Sequence, residues 1–210
     1  MNAGLVAIGP SMNGLDISPP SHVWKNCLAN LCCFADTVSI RLDVLRMGED
    51  LSKVVAEEVK DICCAMGTDI HEIIMATNKW NRWNWREELI RSVDSLAPEI
   101  VLTPDCDEMF GPDLWKDLFR LRTSDEPMSL VFDYVMVVSD GKQVSKYPGK
   151  PHVKAYKWVP NITYFDRRRG YRGLAAPWFY VRKERQLSAQ SKIYHFSHFD
   201  SMCREGRKLL

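Results

Sequence analysis

The chain has 210 residues, a formal net charge of +1 at pH 7, 46% apolar and 26% charged side chains, the composition of an ordinary soluble globule. That length suits one domain with a core large enough to need no disulfide or metal staples. No apolar run approaches the ~18 residues of a spanning helix, and the start, Met1-Asn2-Ala3-Gly4-Leu5, lacks the basic residue and long apolar core of a secretory signal.

In chain order, Leu5 to Ile8 reads as a first strand, and Asn13, Gly14, Pro19 and Pro20 mark a loop. Ser21 can cap a helix from His22 to Ala35 with Val23, Cys27, Leu28 and Leu31 on one face. Thr37 to Leu42 is a second strand ending at Asp43. Gly48 to Met66 is a helix, because Leu51, Val54, Val55, Val59, Ile62 and Cys63 recur at helical spacing, and Gly67 stops it. Ile70 to Ala76 is a third strand, and the Trp-rich stretch from Asn78 to Arg86 leads into a helix through Leu96. Ile100 to Leu102 is a fourth strand, buried by its composition.

After Phe110 the pattern changes. Gly111-Pro112-Asp113 starts a helix with Leu114, Trp115, Leu118 and Leu121 inward. Strand-like runs follow at Ser129 to Val138, Val153 to Trp158, Ile162 to Phe165, Trp178 to Val181 and Lys192 to Phe196. The alternation of strand and helix in residues 1–110, then strands and loops in 111–210, predicts two halves of one α/β domain. Ligands in such folds bind beyond the carboxyl ends of the strands, where Asp43, Trp80 and Asp105 all fall.

The seven cysteines include two adjacent pairs, Cys32-Cys33 and Cys63-Cys64, in helix-like segments. Helix neighbours point in different directions, so neither pair suits a disulfide, and no C-x-x-C suggests zinc. Buried free thiols in a reducing cytoplasm are the expectation. Residues 1–109 carry a charge balance of −8 and residues 110–210 one of +9. A basic second half suits an anionic partner, such as phosphate, nucleic acid or acidic glycan, though charges that mix in three dimensions would leave only a solvated surface.

The most informative stretch is Thr103-Pro104-Asp105-Cys106-Asp107-Glu108. If it stays extended, Asp105 and Asp107 project to one face, where a hard divalent cation would relieve their repulsion. A solvated acidic turn is the competing explanation. Asp43 could accept hydrogen bonds from a base or ribose, Arg86 could offset phosphate charge, and Tyr194-His195-Phe196 supplies a histidine to the same site. Trp80, Trp83 and Trp85 could stack on a sugar or base, or simply pack the core.

This ordered set resembles the nucleotide-binding half of GT-A glycosyltransferases, and within them the family 2-like enzymes. The resemblance runs from Leu5 to about His198, through Asp36-Thr37-Val38-Ser39-Ile40 and Asp43, Trp80 to Arg86, and Asp105-Cys106-Asp107-Glu108 as the "D-x-D-E". It implies a Rossmann-related, mostly parallel sheet with helices on both faces, a Mn²⁺ or Mg²⁺ ion on Asp105, Asp107 and His195, and a nucleotide-sugar donor, a UDP-sugar, at Asp43, Trp80, Arg86 and Asp105. The activity implied is transfer of a sugar to an acceptor hydroxyl with inversion. Asp43 is followed by Val44-Leu45-Arg46 where relatives carry small residues, and no Glu-Asp or Asp-Asp pair supplies the base. Asp133, in Val131-Phe132-Asp133-Tyr134, is a candidate base because apolar surroundings raise a carboxylate's pKa; Asp166 is its rival, and a structural role suits either.

The acceptor is left open between a hydroxymethylated pyrimidine in DNA, as virus-encoded enzymes of this type would modify in a host cytoplasm, and a glycan or lipid-linked sugar. A sugar-phosphate nucleotidyltransferase is a rival reading, but Gly9-Pro10-Ser11-Met12-Asn13-Gly14 lacks the basic residue such a phosphate loop carries. A non-catalytic nucleic-acid-binding module would explain the basic half and leave the strand-end carboxylates unexplained.

Overall fold

The computed structural model describes residues 5–12, 23–77, 84–137, 143–146, 152–162, 165–166, 171–172, 177–180 and 182–196; for 5–12, 46, 84–86, 143–146, 165–166, 171–172 and 178 the description is of backbone only. The strands are β1 (Leu5–Met12), β2 (Thr37–Asp43), β3 (Asp69–Ala76), β4 (Ile100–Leu102), β5 (Glu108–Phe110), β6 (Ser129–Val137), β7 (Gln143–Lys146), β8 (His152–Lys157), β9 (Phe165–Asp166), β10 (Tyr171–Arg172) and β11 (Gln186–His195). The helices are α1 (Val23–Cys32), α2 (Val44–Met47), α3 (Glu49–Met66), α4 (Asn84–Ser92) and α5 (Leu114–Thr123). No helix among these residues is long and apolar enough to cross a membrane.

One sheet of nine strands runs β3-β2-β1-β4-β8-β6-β11-β5, with β7 beside β6, and β9 and β10 form a separate ribbon. The first four strands are mutually parallel in the order 3-2-1-4, the order with which a doubly wound sheet begins. The expectation of a mostly parallel sheet is corrected beyond that point. β8 runs antiparallel to both β4 and β6, and β5 runs antiparallel to β11. Five of the nine described pairings are antiparallel. A short link explains the reversal only of the consecutive pairs β6–β7 and β9–β10; β4–β8 and β5–β11 join strands roughly 50 to 85 residues apart, where link length does not set direction.

Helices cover both faces. α1 buries Trp24, Leu28, Leu31 and Cys32, and α3 buries Val55, Val59 and Cys63, against Val38, Ile40, Leu42, Ile100 and Leu102. The helical repeat of those residues aims them at one stripe, and period-two alternation aims the strand residues at the same side. On the other face Leu89 and Ile90 of α4, with Val93 just after it, pack with Val101, Val153, Tyr156 and Tyr180. The three residues of β4 thus divide between two cores: Ile100 and Leu102 enter one, Val101 the other. α3 ends where Gly67 adopts φ 70° and its N–H caps the carbonyls of Cys63 and Cys64. A left-handed turn of this kind favours glycine, so the stop read from sequence has its mechanism.

Two departures from expectation fall in the second half. Trp178 to Val181, read as a strand, holds a 3-10 turn at Trp178–Tyr180, and the Tyr180 hydroxyl donates to the Lys157 carbonyl. The last strand begins at Gln186, six residues before the expected Lys192, because Ser188–Lys192 breaks register against β6 and hides the alternation. The cap assigned to Ser21 lies outside the described residues.

A candidate nucleotide and metal site at the end of β4

In a doubly wound sheet the crevice lies where the strand order reverses. Here that is between β1 and β4, since β1 leads outward to β2 and β3 while β4 lies on its other side. The chain leaving β4 carries Asp105, Asp107 and Glu108. It does not stay extended. The Glu108 N–H donates to the Asp105 carbonyl at 3.1 Å, and the Asp105 N–H donates to Glu108 Oε2 at 2.7 Å. The segment is therefore a tight turn closed by its own carboxylate, which removes the alternation that would have aimed Asp105 and Asp107 together.

The two aspartates face different partners. Lys154 of β8 donates to Asp105 Oδ2 at 2.7 Å and stands 2.9 Å from Glu108 Oε2. The Thr103 N–H bonds to the Lys154 carbonyl at 2.8 Å, which continues the β4–β8 ladder and sets that lysine against the turn. Asp107 Oδ2 lies 3.5 Å from His195 Nε2. That meeting follows from strand pairing, because β5 and β11 register His195 with Glu108, and the Phe196 N–H donates to the Asp107 carbonyl. Some 90 residues separate these groups in the chain, yet the ladder brings them together.

Glu108 is the buried centre of the cluster, with its side chain 2% exposed. The Tyr134 hydroxyl of β6 donates to Glu108 Oε1 at 2.8 Å. Burial raises the Glu108 carboxyl above its ordinary pKa, with Asp105 adding to the rise, while the Lys154 ammonium and the Asp105 N–H oppose it. Glu108 opens β5, and its carboxyl group accepts the Asp105 N–H that closes the turn. Tyr134 also stacks edge-on against His152 and His195, with ring centroids 4.8 and 5.7 Å away. The far edge of β5 is satisfied by Asn30 of α1, whose amide accepts from Phe110 N–H and donates to Phe110 O.

The other sequence candidates stand elsewhere. Asp43 closes β2 just before α2 with its carboxyl group wholly buried, so it does not present an open acceptor to a base or ribose. Ser39, Arg41 and Asp43 alternate along the strand as a buried polar stripe, and Arg41 donates to Glu88 of α4 at 2.6 Å. Arg86 lies in the first turn of α4, with only its backbone described. Trp80 and Trp83 lie outside the described residues, as does His198. The reading of Asp133 as a base shielded by apolar neighbours is corrected: its side chain is exposed. Strand alternation also places it on the opposite face of β6 from Tyr134, which reaches Glu108. Asp166 lies in the β9–β10 ribbon, with its side chain outside the description.

The contact of Lys154 with the acidic turn, and the part of Tyr134 beside it, are what sequence reasoning missed. A signal for the first was present: a lysine inside Val153-Lys154-Ala155-Tyr156 is a charge in an apolar strand, and a buried charge needs a partner. Among the described residues no group of three or more His, Cys, Asp or Glu side chains is placed to hold a metal ion. The three-donor set Asp105, Asp107 and His195 therefore does not converge, because Lys154 engages Asp105. The remaining pair fits a hard cation of the kind that takes one or two protein donors and fills its shell with phosphate oxygens and water. No protein-family model and no curated protein matches the chain.

Proposed function

We propose that this protein is a glycosyltransferase that moves a sugar from a nucleotide sugar, a UDP-sugar, to an acceptor hydroxyl, with a GT-A-like arrangement of its first half. The observation that carries the reading is the acidic turn beyond the carboxyl end of β4, at the reversal of a parallel 3-2-1-4 sheet, with His195 brought against Asp107. Asp107 and His195 would hold Mn²⁺ or Mg²⁺, which when bound supplies Lewis-acid neutralisation of a leaving diphosphate. The chain's own part is placement: the Asp105–Glu108 turn fixes where Asp107 points, and the β5–β11 ladder fixes His195 against it. Tyr134 and Lys154 hold the Glu108 carboxylate that closes the turn. The basic second half read from sequence supports an anionic or phosphate-bearing acceptor.

The test is a thermal-shift screen of nucleoside diphosphates and sugar nucleotides, with and without Mn²⁺. A ligand at 100 times its Kd adds about 2.7 kcal/mol to the folded state, a shift of several degrees. UDP with Mn²⁺ is expected to raise Tm, and Asp107→Ala to abolish the rise. No stabilisation by any nucleotide, with intact folding, would remove the reading. Pyrophosphorolysis of a sugar nucleotide would replace it with the nucleotidyltransferase alternative.

A further inference from the structure

Two buried thiols meet where α1 packs on α3. Cys32, the last residue of α1, and Cys63, in the last turn of α3, stand with their sulfurs 3.9 Å apart. The structure around them holds that contact in place. The Thr68 N–H donates to the Cys63 carbonyl at 2.9 Å and the Thr68 hydroxyl to the Cys32 carbonyl at 3.2 Å, so one residue pins both cysteine backbones. About two turns earlier on α1, Lys25 pairs with Glu58 of α3 at 2.6 Å, which fixes the register of the two helices at a second point. We propose that Cys32 and Cys63 form an oxidant-responsive dithiol that closes to a disulfide between α1 and α3 when the folded protein meets hydrogen peroxide. The proposal stands apart from the nucleotide reading and does not depend on it.

A disulfide needs its sulfurs about 2 Å apart, so thiols already in contact close by side-chain rotation and a small approach of the helices. The two sulfurs are unequal. The Cys63 thiol donates to the Cys32 sulfur and lowers Cys32 to about 7 against the effect of burial, while the same contact, with burial, raises Cys63. Cys32 is also the more open, at 6% exposed against 0% for Cys63, and it lies at a helix end, where local opening costs least. Cys32 is therefore the attacking sulfur and Cys63 the resolving one. The Cys32 thiolate attacks one peroxide oxygen, the O–O bond breaks, and the departing hydroxide takes up the proton Cys32 released, giving water and a sulfenic acid. The Cys63 sulfur then attacks the Cys32 sulfur, the S–O bond breaks, and a second water leaves with the Cys63 proton. The two thiols lose two electrons in all, and one peroxide becomes two waters. Peroxide is small enough to enter where bulkier thiol reagents are excluded.

A link between positions 31 apart removes chain entropy from the unfolded state, so closing it should raise Tm by about 5–15 °C. The experiment treats the whole chain, reduced and folded, with a slight excess of hydrogen peroxide. Remaining thiols are alkylated in urea and the linkages mapped by mass spectrometry, with melting curves before and after dithiothreitol. The expected result is a Cys32–Cys63 peptide as the dominant linkage, the rise in Tm, and loss of both on reduction. Cys33→Ser with Cys64→Ser, at the exposed neighbours, should leave the link and the rise intact. Loss of the link in that variant would assign the oxidation to surface thiols and overturn the proposal. Protein in which Cys32 and Cys63 stay reduced while Cys33 and Cys64 oxidise overturns it as well, as does a dominant pairing of other cysteines. A link that lowers Tm would mean that the helices must separate to close it, and overturns closure within the native fold. Should the double variant not fold, the mapping and melting of wild type decide alone.

Discussion

Glu108 shows how one side chain can be read only halfway from sequence. Its place in Asp105-Cys106-Asp107-Glu108 flags it, but the burial that raises its carboxyl pKa, against the opposing Lys154 ammonium, comes from the packing of distant strands. Because the folded value is raised, the neutral acid is favoured by folding. Its contribution is complete below the ordinary carboxylate pKa and is lost as pH rises through the raised value. In EDTA, wild-type stability relative to Glu108→Gln should therefore decline as pH rises above the ordinary carboxylate range, as followed by urea melts. The opposite slope would mean that the Lys154 ammonium outweighs burial. Gly111 makes a second argument at this scale. A Cβ there would meet Ser191 Oγ at 2.9 Å and the Lys192 carbonyl at 3.3 Å, so the glycine permits the close approach that seats β5 beside β11. Sequence marked it only as a helix-start signal.

At the scale of elements, the helices were the most legible and the late strands the least. The doublets Cys32-Cys33 and Cys63-Cys64 behave as helix geometry requires: one thiol of each is buried and the other exposed, and the buried pair meets across α1 and α3 with sulfurs 3.9 Å apart. Brief alkylation of the native protein should accordingly label Cys33 and Cys64 while Cys27, Cys32, Cys63 and Cys106 react only on unfolding, as read by peptide mass mapping. β11 depends on a contact no local pattern reveals. The wholly buried Asp117 of α5 accepts N–H bonds from Gln190 at 2.9 Å and Ser191 at 2.8 Å, where the strand breaks register with β6. Asp117→Ala would strand those donors and should cost about 2–3 kcal/mol by denaturant melts, with hydrogen exchange speeding at both amides. A smaller loss would mean that water replaces the carboxylate. That bulge sets the phase in which β11 delivers His195, so the variant should weaken Mn²⁺ binding as well.

For the whole molecule, the two halves expected from composition are one sheet. β8 of the second half lies between β4 and β6, and β11 closes on β5, so a cut near residue 110 would expose the inner edge of β4. Unpaired buried backbone is costly, and calorimetry of the intact chain should show one cooperative transition while residues 1–110 alone remain unfolded. Two separated transitions would contradict that. The sequence by itself determined the α/β class, the four parallel strands and the helices between them, because period-two and period-3.6 patterns report local geometry directly. It also located the acidic turn at a strand end. The tertiary structure decided which side chains meet there. It turned the mixed half of the sheet so that Lys154 takes Asp105 and Glu108 while His195 meets Asp107, and it set Asp133 on the other face. Those pairings join residues dozens of positions apart through strand register, and register is fixed by packing and bulges that no local spacing encodes.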